Sequence, residues 1–284
     1  MRRTSITAII LFFLLIIFPF GAGLMYALLY SFGIIGMLSH GFTFSHWIEM
    51  LASGETWRSF LFTIYIGVIA LLVAASLALL YVMTGTKHQR SRTSSFIHLP
   101  LTIPAMVAAF FTFQFLSKSG FVSRIFNALH LTAGIDGFPD WVNDQWGIGI
   151  IVTHVMLAVP FFIILFQNYY YSEKLETLRE LSSTLGASNS QFNRRILVPV
   201  LLKKAAAPVA LYFIFMLGSY EIPLLLGRQD PQMVSVLVTR KLFRFDLTDI
   251  PQGYAIAILY TIIVSALLLF IIKSKSTAHA RQAS

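Results

Sequence analysis

The chain has 284 residues, of which 57% are hydrophobic and only 12% are charged. An average soluble domain is about one quarter charged, and a core of this size could not bury so much apolar surface, so a soluble globular protein is excluded. The chain has no cysteine, which excludes disulfides and thiolate metal sites. Its net charge of +9 suits nucleic acid or anionic lipid, and the distribution of charge described below favours lipid over nucleic acid.

Six apolar stretches are long enough to cross a bilayer as helices, since a crossing takes about 20 residues. In chain order they are Ile6–Tyr30, Phe60–Met83, Phe96–Ser117, Gly147–Ser172, Ala205–Gly227 and Gly253–Ile272. All six are predicted to be helical because backbone groups in lipid must satisfy their own hydrogen bonds. The expected fold is all-α, with one transmembrane domain over residues 1–284. The first stretch is too long for a cleavable signal peptide, and no small-residue cleavage site follows it.

Lysine and arginine are unevenly distributed between the loops. With the N-terminus in the cytoplasm, fourteen of the 21 basic residues fall on the cytoplasmic side and seven fall outside. The positive-inside rule therefore predicts that both termini are cytoplasmic. The last outer loop fits least well, because it contains Arg228, Arg240, Lys241 and Arg244. Residues 274–284 are predicted to be a disordered polar tail.

A charged stretch between the fourth and fifth predicted spans, residues 173–199, is predicted to form two short helices at the membrane surface. The first helix has an apolar stripe at near-helical spacing, formed by Leu175, Leu178, Leu181 and Leu185. Gly186 is predicted to end this helix, and Ser188 with Gln191 forms a capping-box pattern for the second. The pattern leaves two interpretations open: a helix pair that packs on lipid, and a docking site for a partner.

The same stretch resembles the cytoplasmic signature of permease subunits of binding-protein-dependent ABC importers. That signature reads Glu-Ala-Ala, three residues, Gly, nine residues and Ile-x-Leu-Pro. The residues that match its spacing here are Glu180, Gly186, Ile196 and Pro199. Leu181 and Ser182 replace the alanines and Val198 replaces the leucine, changes that keep a small or apolar helix face. At the level of topology the resemblance extends from the second predicted span to the sixth.

The resemblance implies the type I ABC importer permease fold in a bacterial cytoplasmic membrane. It also implies an ATPase dimer on the cytoplasmic side, a second permease subunit and an extracytoplasmic solute-binding protein. The chain looks most like the polyamine, iron, thiamine, sulfate and phosphonate permeases, and a pair of two different permeases is favoured. Residues 173–199 would be the segment that couples to the ATPase. The residues that take this role by resemblance are Glu180, Leu181, Leu185, Gly186, Ala187, Phe192, Ile196 and Pro199.

Polar residues within the spans are candidates for the translocation pathway, because they are costly in lipid and tend to face a cavity. These candidates are Gln114, His154, Ser219, Tyr220 and Glu221. Glu221 is the only carboxylate inside any predicted span, and it could attract a cationic solute or pair with Arg228. His154 is favoured as a packing residue over a ligand.

The leading hypothesis is a permease subunit of an ATP-driven importer for a small charged solute, with a polyamine-like solute favoured. The chain is not expected to be an enzyme, since it has no G-x-x-x-x-G-K-[ST] phosphate loop. We predict no catalytic residue, no metal ligand and no cofactor. The alternatives are a transporter or membrane-embedded enzyme that works alone, which should carry more buried ionisable groups, and a membrane scaffold, which leaves the signature spacing unexplained.

Overall fold

The structure is a computed structural model that describes residues 8, 10–37, 39, 41–84, 98–132, 134 and 137–283. Beyond Ile271, Lys273 is the one residue whose side chain is described. The predicted starts of the first span at Ile6 and of the third at Phe96 lie outside the described residues.

Regular structure in the described ranges is helical throughout. The α-helices are α1 (Phe18–Ser31), α2 (Ser45–Ala52), α3 (Gly54–Thr84), α4 (Ala105–Leu116), α5 (Phe121–Ala128), α6 (Ile148–Ser172), α7 (Leu175–Thr184), α8 (Asn189–Phe192), α9 (Val198–Leu217), α10 (Glu221–Leu226), α11 (Val234–Leu242) and α12 (Asp249–Ala283). Two π-helical turns, Phe13–Ile17 and Asn193–Leu197, precede α1 and α9.

Six helical stretches among these residues are long and apolar enough to cross a membrane. Spans 1 to 6 are Ile10–Ser31, Gly54–Thr84, Ala105–Ala128, Ile148–Ser172, Asn189–Leu217 and Asp249–Ile271. The predicted all-α fold with six spans is confirmed, although several boundaries differ.

The third predicted span is interrupted near its beginning. A 3₁₀ turn, Leu99–Thr102, ends at Ile103, whose backbone is extended (φ −81°, ψ 122°), and α4 begins only after Pro104. A residue before proline is pushed out of the helical region by the proline ring, which explains the break.

The fifth predicted span ends earlier than expected. Its helix stops at Leu217, and the separate short helix α10 begins at Glu221. Pro223 has no N–H to donate to the carbonyl of Ser219, and its ring would clash with that carbonyl in a continuous helix. Glu221 therefore begins a new helix after a break and does not lie within a span.

Helix α12 is continuous as far as Ala283. The prediction of a disordered polar tail over residues 274–284 stays a prediction. Residues 274–283 contain three alanines and one each of Lys, Arg and Gln, residues that favour helix once a preceding helix has supplied the nucleus.

Two compact units divide the chain. The first contains the chain as far as Phe60 together with Val234–Leu267, and its apolar core is Met50, Phe60, Val234, Leu237, Ala255 and Ile256. The second unit contains Leu61–Met233 and Leu268–Ser284. The prediction of a single transmembrane domain stays a prediction.

Charged side chains of the loop before span 6 are paired within the first unit. Lys241 is buried, and its Nζ lies 3.0 Å from both Asp249 Oδ1 and Gln252 Oε1. Arg244 also reaches Asp249, at 3.0 Å, and Arg240 pairs with Glu55. The predicted last outer loop, which fits the positive-inside rule least well, contains four basic residues. Three of them thus have carboxylate partners.

The second unit has two apolar clusters. One joins spans 2, 4 and 5 to the helices α7 and α8 and contains Ala74, Ala78, Val82, Ala158, Phe162, Ile163, Phe166, Tyr170, Leu175, Phe192, Leu197, Leu201 and Ala205. The other packs α10 against spans 2, 3 and 4 and includes Phe62, Ile66, Ala109, Ile150, Ile222 and Leu226. Small residues allow the helices to approach closely, as is common in membranes.

We expect Gly227→Ala to destabilise the protein, because a Cβ at Gly227 would lie 2.5 Å from the Pro223 carbonyl oxygen and 3.3 Å from Ile150 Cδ1. Overpacking of this kind costs about 1–3 kcal/mol and should lower the unfolding temperature of the detergent-purified protein. Gly54→Ala is the matched control, since the atom nearest to its Cβ is 3.8 Å away. Equal unfolding temperatures for the two variants would contradict this packing.

Candidate functional site

The helix pair formed by α7 and α8, with the turn between them, is built around Gly186. Helix α7 ends in a Schellman motif: Gly186 N–H donates to the Ser183 carbonyl at 3.0 Å, and Ala187 N–H donates to the Ser182 carbonyl at 2.9 Å. Gly186 has a φ of +83°, a left-handed conformation that glycine adopts without strain. The predicted end of the first helix at Gly186 is confirmed.

The second helix of the pair begins with the predicted capping box. Ser188 Oγ accepts from Gln191 N–H at 3.2 Å, and Gln191 Oε1 accepts from Ser188 N–H at 2.9 Å. These two bonds satisfy backbone donors that a helix start leaves without a partner.

A side-chain bridge also joins the two helices. Arg179 on α7 donates from Nε and Nη2 to Asn189 Oδ1 on α8, at 3.2 and 3.1 Å. The bend therefore has three local constraints: the glycine turn, the capping box and this bridge.

Two large side chains anchor the helix pair to the spans. Leu175 is fully buried and Phe192 is 2% exposed, both in the cluster that contains residues of spans 2, 4 and 5. The coupling role assigned to Phe192 by resemblance stays a prediction; its ring lies in the core of its own chain and also lines the cavity between the two helices.

The opposite face of α7 presents apolar side chains outward. Leu181 is 55% exposed and Leu185 is 87% exposed, and Glu180, which precedes Leu181, is exposed as well. Ala187 and Ile196, which are partly buried, line a cavity of about 340 Å³ between the helices together with Leu185, Gly186 and Arg195. The predicted helix pair thus has one buried edge and one exposed apolar edge.

The helix pair is not separated from span 5 at Pro199. Helix α8 continues through the π-helical turn Asn193–Leu197 into α9, so the second helix of the pair is the beginning of span 5. Val198 N–H bonds to the Asn193 carbonyl, five residues back. This wider turn lies immediately before Pro199, where a normal α-helical turn would be disrupted by the proline ring.

A second candidate site is a cavity of about 570 Å³ at the two broken helices. Residues of the break before α4 form part of its wall, namely Pro100, Leu101, Ile103 and Ala105. Residues of the break after α9 form another part, from Gly218 to Ile222. Irregular backbone at membrane depth is tolerated where it lines a cavity, and the volume lies within the range of small-molecule sites.

Four of the five predicted pathway residues meet in this cavity: His154, Ser219, Tyr220 and Glu221. Glu221 is exposed, and its side chain has no hydrogen-bond or ion-pair partner among the described residues, so a pair with Arg228 does not form there. Gln114 is exposed on α4 and does not line the cavity.

Sequence reasoning did not identify two groups of residues in the cavity wall. These are the residues before α4 and the apolar residues Leu157, Tyr212 and Phe215. Pro100 and Pro104, four residues apart, were the available signal for a break in that span. The apolar wall carried no signal, because its residues are typical of any span. In the described parts of the chain, no group of His, Cys, Asp and Glu is placed to hold a metal ion.

Six spans, a bent polar helix pair between spans 4 and 5, and a cavity at two broken helices define a membrane permease. Residues 90–274 match the family described as "Binding-protein-dependent transport system inner membrane component". Because this match covers more than half of the chain, the protein belongs to that family. It is an inner-membrane permease subunit of an ABC importer, a transport component and not an enzyme.

Known relatives and structures agree with this assignment. The sulfate transport system permease protein CysT of Salmonella typhimurium (strain LT2) is 26% identical over 225 residues, which are 79% of this chain and 75% of CysT. The fold is similar to that of a bacterial ABC transporter involved in the import of the acidic polysaccharide alginate, with a TM-score of 0.73, 18% identity, and coverage of 97% of this chain and 94% of that one. A second crystal structure, of a bacterial alginate ABC transporter in complex with alginate pentasaccharide-bound periplasmic protein, gives a TM-score of 0.71 at 19% identity, covering 95% and 92% of the two chains.

We expect Ser188→Ala to loosen α8 by removing the cap acceptor, a loss of about 1 kcal/mol. Amide hydrogen exchange over residues 188–192 should then rise about fivefold, if local opening governs the exchange. Ser190→Ala is the control, since its hydroxyl takes no part in the cap. If both variants exchange at the same rate, the capping box does not stabilise this helix.

Proposed function

We propose that the chain forms half of the translocation pathway of an importer and that its helix pair docks on an ATPase dimer. A second, different permease subunit would complete the pathway, and a solute-binding protein would deliver the solute from outside. The segment 173–199 would lie in the cytoplasm, with both termini on the same side. The observation that carries the proposal is the exposed apolar edge of α7 on a bend held by three local constraints.

Exposure of the leucines supports the docking role. Leu181 and Leu185 lie on a helix with charged neighbours such as Glu180. A mixed edge of this kind fits a protein groove, where the leucines bury apolar area and the charges set the register. A lipid-packing helix would instead have its apolar stripe on one continuous face, whereas here Leu175 is fully buried in the protein core.

The connections of the helix pair provide a route for mechanical force. Leu175 and Phe192 are packed against spans 2, 4 and 5, and α8 continues into span 5 without a loop. A push on the pair would therefore tilt helices of the second unit as a body. Rigid-body movement of this kind alternates access to a cavity between the two sides of the membrane.

The charge distribution supports the proposed orientation. The loop before span 6 is outside in this topology, and three of its basic residues, Arg240, Lys241 and Arg244, have carboxylate partners. In the helix pair, Arg194 and Arg195 are exposed. Exposed basic residues of this segment thus lie on the proposed cytoplasmic side, as the positive-inside rule requires.

The walls of the cavity of about 570 Å³ at the two helix breaks, named the large cavity from here on, favour a cationic solute, such as a polyamine, over an oxyanion. Among the described residues that line it, Glu221 is the one formally charged side chain, and no lysine or arginine is present. The relative CysT is a sulfate permease by name, but a sulfate ion here would meet a carboxylate without a compensating cation from this chain. A carboxylate of this kind is expected to pair with an ammonium group.

We expect Gly186→Val to uncouple transport from ATP turnover. A β-branched residue is strained at a φ of +83° by about 1–3 kcal/mol, so the bend should shift. In proteoliposomes that hold the complete transporter, solute-stimulated ATPase activity should fall at least about tenfold. Gly186→Asn is the matched control, because Asn tolerates the left-handed region and a Cβ there has open space. Equal activity of both variants and the wild type would count against the coupling role.

We expect Glu221→Gln to weaken uptake of a cationic solute. Loss of a charge-assisted hydrogen bond should reduce the initial uptake of radiolabelled spermidine, used as the cationic probe, by about tenfold or more. Asp140→Asn removes an exposed carboxylate that does not line the cavity and should change uptake little. Uptake of sulfate that exceeds uptake of spermidine in the wild-type complex would refute the cationic preference.

A further inference from the structure

His154 lies in the wall of the large cavity with one ring nitrogen used and the other unused. The residue is 5% exposed. Its Nδ1 is 2.9 Å from the Ile150 carbonyl oxygen, one turn back on α6. Its Nε2 is buried and has no hydrogen-bond partner among the described residues. Buried polar atoms in proteins are nearly always paired, and an exception calls for an explanation.

The bond to Ile150 decides which nitrogen carries the proton. A carbonyl oxygen can only accept, so Nδ1 is the donor. In the neutral imidazole Nε2 then has a lone pair and no proton, and it can only accept a hydrogen bond. The backbone of α6 thus holds the ring as an acceptor at Nε2.

Neighbouring hydroxyl groups do not supply the missing donor. The Thr153 hydroxyl lies 2.8 Å from Thr112 Oγ1 and 2.8 Å from the Gly149 carbonyl oxygen. Thr112 in turn donates to the Ala108 carbonyl at 3.0 Å. These bonds join spans 3 and 4 beside the histidine and leave its Nε2 without a partner.

The structure assigns His154 as a specificity-determining residue of the cavity, whose Nε2 accepts a hydrogen bond from a hydroxyl or ammonium group of the solute. This assignment rests on the proposed function of the cavity as half of the pathway. It deepens that function, because it requires a solute with a hydrogen-bond donor at the end that meets span 4. A fully deprotonated oxyanion has no such donor. A packing role for His154, favoured from the sequence, would need the bond to Ile150 and make no use of Nε2.

A chemical probe of the cavity can test this without knowledge of the solute. The chain has no cysteine, so Leu157→Cys supplies a single thiol in the same cavity wall as His154. Residues three apart on a helix have Cβ atoms about 5–6 Å apart, which is within reach of the head group of a methanethiosulfonate reagent. The three probes are the aminoethyl reagent, with N–H donors; the trimethylammonioethyl reagent, a cation without N–H; and the sulfonatoethyl reagent, an anion.

Two variants of the histidine separate the two nitrogens. In His154→Gln the side-chain carbonyl can occupy the place of Nε2 and keep an acceptor there. In His154→Asn the side-chain amide can keep the bond to the Ile150 carbonyl but does not reach the place of Nε2. Each is combined with Leu157→Cys in the full chain, assembled with its partner subunits in membrane vesicles, and the modification rates are measured.

The expected result is a preference for the aminoethyl over the trimethylammonioethyl reagent in the Leu157→Cys protein. His154→Asn should reduce this preference by about three- to tenfold, as expected for one hydrogen bond, and His154→Gln should retain it. Three results would overturn the assignment: an unchanged preference in His154→Asn, no preference in the parent protein, or a thiol that none of the reagents modifies.

The proposed function can fail separately. Labelling requires neither ATP nor ATPase activity, so undiminished solute-stimulated turnover in Gly186→Val would refute the coupling role and leave the labelling result valid. Conversely, a labelling result that overturns the role of His154 would leave coupling through Gly186 untouched.

Discussion

The satisfaction of backbone hydrogen bonds in lipid is the constraint on which the rest of this structure depends. An unpaired N–H or C=O group costs several kcal/mol in hydrocarbon, so each span is a helix that satisfies its own groups. Departures from that rule then carry information. Among the described residues, the helical path is broken before Ala105 and after Leu217, and both of these breaks lie in the wall of one cavity. Irregular backbone that lipid would not tolerate therefore lies along a cavity.

The same constraint explains why some prolines lie within continuous helices and others lie at helix breaks. Pro160 and Pro208 lie within continuous helices, where neighbouring groups can satisfy the freed carbonyls. Pro104 and Pro223 lie at the breaks instead. The difference is positional: the first two are deep within long helices stabilised on both sides, whereas Pro104 follows an extended residue and Pro223 lies in the first turn of a new helix.

The helix pair and the cavity belong to the same compact unit, which gives the proposed mechanism a physical basis. The buried side chains of Leu175 and Phe192 join the pair to spans 2, 4 and 5, and span 5 continues from the pair to the break at Gly218. One continuous helix thus has the bend at one end and the cavity at the other. Close packing makes such a unit move as a body, since a packed core resists gradual deformation.

Local features of this protein followed from the sequence alone. Hydrophobic length predicted six spans, the glycine and Ser-x-x-Gln pattern predicted the bend and its cap, and the spacing from Glu180 to Pro199 indicated the family. These signals involve residues close together in the chain, so their physics is complete without the fold. The tertiary structure alone decided which leucines are buried and which are exposed, that Phe192 is an anchor, and that His154 and Glu221 share a cavity from which Gln114 is absent. Those outcomes depend on packing between residues far apart in sequence, and helical periodicity does not specify which face of a helix meets a neighbouring helix, a cavity or a partner.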